Sequence, residues 1–329
     1  MIERFDRLLA QPVNMRSLGI VRLLVGAITL VHLWPFVKGA LRGETYQDHF
    51  YHSYVTWYPD LPEAGYAWLL VIGTIAAFAM AIGLWSHVTT RVTFAVVAYN
   101  LFLSTTNMHN NRAYLVIVLA LLAMAPCGRA VSVDAWLRVR RRLGTLDPTS
   151  PAWPLWLLRF ECATVYGASG LSKLLDRDWF SGTVTWGRLV EQEAAVRASL
   201  LPWPFADLIL ERSFHAVAAK LIIATELFIA SGLWWPRTRR FALMVAVVFH
   251  VMIQFTADVE VFSYLGVAVL FVWADPAVPW LRVGRRPSPP VKDKAILRAT
   301  FTASDVRPRR WDMVRSYWCR PRSWKMTRE

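Results

Sequence analysis

Cysteine is nearly absent: Cys127, Cys162 and Cys319 are the three in 329 residues. They form no C-x-x-C, and no pair is expected on an oxidising side, so a disulfide framework is excluded. The chain has no Walker loop, no G-x-G-x-x-G in a strand–helix setting and no G-x-S-x-G elbow, which removes the common nucleotide-binding and hydrolase signatures. His49 and His52 lie three apart, but no carboxylate–histidine set has zincin or di-iron spacing, and no metal is expected. Acidic residues are few, 23 against 37 Lys and Arg, for a net charge of +14. No zinc-finger or other nucleic-acid motif accompanies that charge, so no nucleic-acid partner is expected. A signal peptide is not expected either. Residues 1–16 are polar, with Arg4, Arg7 and Arg16, and the apolar run behind them is too long for an h-region.

What the chain has is apolar length. Hydrophobic residues make up 55% of it, there are 17 Trp, and the mean hydropathy is +0.33. The apolar residues cluster into runs near the ~20 residues that cross a bilayer. Eight spans are predicted: 17–37, 66–85, 90–106, 113–127, 155–173, 216–234, 239–256 and 259–275. The expected fold is all-α, a polytopic transmembrane helix bundle of about eight spans. A segment 1–16 precedes a membrane domain 17–275, and a basic tail 276–329 follows.

The charge placement orients the bundle. With the N-terminus in the cytoplasm, 26 of the 37 Lys and Arg fall on the inside, 14 of them after residue 280. Both termini are therefore expected on the cytoplasmic side of a cell (inner) membrane, with the tail held to anionic membrane lipid. The long outside segments are 38–65, with Tyr46, Phe50, Tyr51, Tyr54, Trp57 and Tyr58, and 174–215. Residues 183–201 read as one amphipathic helix lying on the membrane.

Ionisable residues inside spans are costly and usually face the bundle interior. Among them are Arg22, Arg159, Glu161, Lys220, Glu226 and His250. Arg159, Tyr166, Gly170 and Lys173 are spaced 7, 4 and 3 apart and share one helix face. Lys173 ends its span. Desolvation there would suit it to work as a base, while a snorkelling lysine would only anchor the helix end. The plain reading of the arginines is structural, with Glu226 paired to Arg22, Arg159 or Lys220. His109 and Arg112 sit in a polar hairpin, 105–112, on the same predicted side as Lys173. Lys173, Tyr166, His250 and at least one of His109 or Arg112 are expected to line one pocket.

Four blocks in order carry a resemblance. They are Val21-Arg22-Leu23-Leu24-Val25-Gly26; Ser132-Val133-Asp134; Arg159…Val165-Tyr166…Gly170-Leu171-Ser172-Lys173…Asp178-Trp179…Gly182; and Phe249-His250…Phe262-Ser263-Tyr264. Together they resemble the vitamin K-dependent γ-carboxylase family and its bacterial branch, the horizontally transferred transmembrane (HTTM) proteins, over residues 17–275. The resemblance implies that Lys173 is the base that deprotonates a reduced naphthoquinone (vitamin K or menaquinol), with His109, Arg112 and His250 as further catalytic candidates. Tyr166, Gly170 and Trp179 would then hold the cofactor. Arg112 stands where the family pattern has a histidine and Glu161 where it has a glutamine, and no large extracytoplasmic domain is expected after the membrane part. The implied activity is quinol-dependent modification of a substrate at the outer membrane face. A non-redox maturation or export factor, binding a secreted peptide or a lipid in the same cavity, is the alternative. A thioredoxin-like protein is the partner some relatives imply. A transporter fits less well, because the chain shows no repeated half.

Overall fold

The structure is a computed structural model that describes residues 2–46, 51–141, 148–198, 203–256 and 259–274. His49, Phe50, Cys319 and the basic tail lie outside the described residues. The chain divides into two compact units, 1–281 and 282–329, and every described residue belongs to the first.

That unit is mostly helical. Its helices are α1 (Ile2–Ala10), α2 (Arg16–Leu41), α3 (Glu63–Ile82), α4 (Ser86–Leu103), α5 (Asn110–Met124), α6 (Val133–Arg140), α7 (Trp153–Leu175), α8 (Arg177–Phe180), α9 (Thr183–Val190), α10 (Glu193–Arg197), α11 (Trp203–Leu210), α12 (Arg212–Gly232), α13 (Arg239–Thr256) and α14 (Phe262–Leu270). Each predicted span overlaps one of the helices α2, α3, α4, α5, α7, α12, α13 and α14, although α14 has only nine residues. Three of them, α2, α3 and α12, are long and apolar enough to cross a membrane, with mean hydropathies of 1.9, 2.0 and 1.5. A small antiparallel pair, Pro12–Asn14 with Thr149–Pro151, is an addition to the all-α reading.

Packing follows the order of the chain: α2 on α3, α3 on α4, α4 on α5, and α12 on α7 and α13. Small residues permit these contacts, as apolar helices in lipid require. A Cβ at Gly26 would sit 2.7 Å from the Cα of Ala81, so α2 and α3 touch along their backbones. Outward faces are apolar. Ile75 is 65% exposed, Trp68 68% and Val217 60%. Such a belt would be costly in water and is neutral against acyl chains.

Helix ends follow local chemistry. The Ser132 hydroxyl accepts from Ala135 N–H to start α6, and Asp176 accepts from Asp178 and Trp179 N–H to start α8. The single amphipathic helix expected at 183–201 is two helices, α9 and α10; residues 199–201 lie outside the described set. Its break falls at Glu191-Gln192. Acidic residues at a helix C-terminus oppose the dipole, whereas restarting puts Glu193 in a first turn, where Arg197 pairs with it at 2.7 Å.

Candidate functional site

The face of α7 predicted to look inward does so. Lys173 Nζ donates to Glu226 Oε1 on α12 at 2.6 Å and to Ser169 Oγ, one turn earlier, at 2.8 Å. Ser169 Oγ in turn donates to Glu226 Oε1 at 2.9 Å. The ammonium also lies over the Trp179 ring, 5.0 Å from its centre, and Arg188 takes the same ring at 5.7 Å. Gly170 makes the approach possible, since a Cβ there would meet Leu227 at 3.0 Å and Glu226 at 3.2 Å. The Glu226 side chain is 5% exposed and that of Lys173 17%. Glu226 Oε2 is buried with no partner among the described residues.

This arrangement changes one expectation. Glu226 pairs with Lys173, not with Arg22, Arg159 or Lys220. Those cations are otherwise engaged. Arg22, fully buried, donates to the carbonyls of Met80 and Val131, both at 2.5 Å. Arg159 donates to Val272 O at 2.9 Å and lies over the rings of Trp156 and Trp273. Lys220 donates to Ala216 O and faces the Phe180 ring. Lys173 is also more enclosed than a lysine that only anchors a helix end, with its side chain 17% exposed. Glu226 is fourteen residues into α12, about 21 Å along it at ~1.5 Å per residue. The chain after Lys173 continues as α8 and α9 against that same helix.

Two turns before Lys173, Tyr166 OH meets His250 Nε2 of α13 at 2.6 Å. Both residues are buried. Tyr166, Ser169, Gly170 and Lys173 thus carry two polar contacts to two neighbouring helices from one face of α7.

Arg112 belongs elsewhere. It makes a bidentate pair with Glu260, from Nε at 3.1 Å and from Nη2 at 2.6 Å, and lies over the Phe36 ring at 5.2 Å. The pair closes one side of a cavity of about 850 Å³ that also carries His32, Phe36, Tyr51 and Tyr66. Of the residues expected to share a pocket, Arg112 lines this cavity, and Lys173, Tyr166, His250 and His109 do not. Pro35 lies on the same wall, one turn after Val31, whose carbonyl loses its helical donor there. The Tyr66 phenol donates to Asn100 Oδ1 at 2.5 Å beneath the cavity. His109 caps α5, its Nδ1 accepting from Asn111 N–H at 3.3 Å.

Glu260, Ser169 and His32 are site residues that sequence reasoning missed. Glu260 is 148 residues from its partner. Its backbone is left-handed, with φ +49°, a costly conformation for this residue that places its carboxylate against Arg112. Burial, followed by the hydrogen bond to Asp60, pushes the Tyr51 phenol up to about 12.

Glu260 is more than a third exposed, so the pair is worth only about 1 kcal/mol or less. Wild type is expected to melt slightly above Glu260→Gln at pH 7. A Glu260→Gln protein that melts higher than wild type would contradict the pairing.

The chain matches the family model described as HTTM domain over residues 10–277. Comparison with curated proteins and with solved structures gave no match in either case. The matched segment contains α2, α7, α12, the Lys173–Glu226 pair and the Tyr166–His250 bond, and its apolar helices fit a bilayer. This chain therefore belongs to the HTTM domain family and is a membrane protein.

Proposed function

We propose that this chain is a multi-pass enzyme of the cytoplasmic membrane, with about eight spans and both termini inside, that uses Lys173 and Glu226 as acid–base groups in a reaction of a reduced naphthoquinone. The observation that carries the reading is the Lys173–Glu226–Ser169 cluster with its unpartnered carboxylate oxygen. A pair that served only to hold α7 against α12 would be matched or bettered by apolar side chains. A buried acceptor left open fits a hydroxyl donor, and a quinol ring presents two.

When bound, a reduced naphthoquinone supplies the electrons that oxygen takes up. Lys173 and Glu226 hold and pass the proton of its hydroxyl. Ser169 fixes the lysine between them. Trp179 covers the ammonium, and Gly170 keeps the two helices close enough for the pair to form. Exclusion of water by the surrounding apolar helices protects reactive species. Tyr166 and His250 stand one to two turns deeper as a second polar contact.

A second reading rests on the cavity by Arg112 and Glu260. It is wide, aromatic and closed by an ion pair, which suits a secreted peptide or a lipid held for maturation or export, with or without a thioredoxin-like partner. One experiment separates the two. Purified protein in lipid discs is incubated with 1,4-naphthohydroquinone and oxygen, and the organic extract is examined for the epoxide. The enzyme reading expects epoxide in proportion to protein. Only autoxidation to the quinone would leave the binding reading in its place.

A further inference from the structure

On α13 and α14, three buried polar atoms have no partner among the described residues: His250 Nδ1, Gln254 Oε1 and Ser263 Oγ. His250 is 1% exposed and Ser263 3%. They share one seam. The His250 ring rests directly on Gly266, where a Cβ would fall 2.2 Å from Cε1 and Nε2. A short connection makes α13 and α14 antiparallel neighbours. Gln254 is one turn from His250 toward that connection, and Ser263 is about one turn from Gly266 toward the same end. The register that sets His250 on Gly266 therefore sets Gln254 beside Ser263.

The donors and acceptors are complementary. Tyr166 occupies His250 Nε2, so the role of Nδ1 follows from the proton on that bond. If the phenol donates, Nδ1 carries hydrogen. If the phenol accepts, Nδ1 is an acceptor. Gln254 Oε1 accepts only, and Ser263 Oγ does either. We propose that His250, Gln254 and Ser263 form a binding site for one hydroxyl group, from either a water molecule or a lipid-soluble substrate. A water molecule has two hydrogens and two lone pairs, and it serves both tautomers of His250. A substrate hydroxyl has one hydrogen. It serves only the tautomer in which Nδ1–H donates to it while it donates to Gln254. Three polar atoms left dry together would each forfeit their hydration without return, which native interiors avoid. The site lies between α13 and α14, apart from the Lys173–Glu226 pair on α7 and α12, and it stands whether or not the chain turns over a quinol.

The test uses the full chain in lipid discs. Ser263→Ala and Gln254→Met are compared by thermal midpoint. Ring ¹⁵N spectra of labelled histidine are recorded alongside, with the His250 signals assigned by their loss in His250→Asn. An occupied site predicts that both substitutions lower the midpoint and that each moves the Nδ1 resonance of His250. A dry seam gives the opposite sign, because an apolar group then replaces an unsatisfied polar one. A midpoint raised or unchanged in both variants, with Nδ1 unmoved, overturns the proposal. The source of the hydroxyl is read by adding 1,4-naphthohydroquinone or its dimethyl ether. Movement of Nδ1 with the hydroquinone alone identifies a substrate hydroxyl. A resonance that responds to the substitutions but to neither additive identifies water.

Discussion

Lys173→Met alone is expected to destabilise the protein by about 3–5 kcal/mol, because it strands a buried carboxylate. The two partners are not equivalent. Glu226 has a short stem, is 5% exposed and already has one oxygen without a partner. Lys173 is 17% exposed and can carry its ammonium outward along a flexible stem. Glu226→Leu should therefore cost less than Lys173→Met. The double variant should recover most of the loss, since an apolar pair across α7 and α12 needs no compensation for desolvation. Thermal midpoints of the four proteins in one detergent check this. Additive losses in the double variant would mean that the two residues are not coupled.

Gly83→Ala is expected to be as damaging, for a different reason. Gly83 ends α3 in the left-handed region, at φ +75°. A Cβ there costs roughly 1–2 kcal/mol in backbone energy alone. It would also lie 2.2 Å from Nη1 of Arg22 and 2.5 Å from Cβ of Ser132. Neither can yield cheaply. Arg22 is fully buried and holds the carbonyls of Met80 and Val131, while Ser132 starts α6. Displacing the guanidinium leaves a buried charge without its acceptors, for a total on the order of 4–6 kcal/mol. Gly187→Ala is the control. None of the described residues lies within 4 Å of its Cβ position in α9, and alanine there should stabilise by up to ~1 kcal/mol. Equal melting of Gly83→Ala and Gly187→Ala would contradict the account of Arg22.

The apolar period and length of the chain made the helices legible, because a span must satisfy its own backbone and so has a fixed minimum size. The inward face of α7 was legible for a similar reason: residues at helical spacing must share a side. Pairing was not legible. Glu226 had four cations to choose from, and the choice of Lys173 depends on how far α8 and α9 carry the chain along α12. Arg112 and Glu260 meet across 148 residues of sequence, and His32 lies hidden inside an apolar run. That Arg112 lines a cavity without Lys173, Tyr166 or His250 is likewise a matter of helix order around the bundle, which no periodicity encodes.

The most direct measurement is oxygen uptake driven by a reduced naphthoquinone, compared between wild type and Lys173→Arg in lipid discs. Arginine keeps the positive charge and can still meet Glu226, but it cannot be deprotonated. The proposed role of Lys173 predicts hydroquinone-dependent uptake above autoxidation in wild type, and at least a 100-fold loss in Lys173→Arg, the lower end for removal of a general base, with an unchanged thermal midpoint. Equal uptake by the two proteins, or none above autoxidation in wild type, would contradict it.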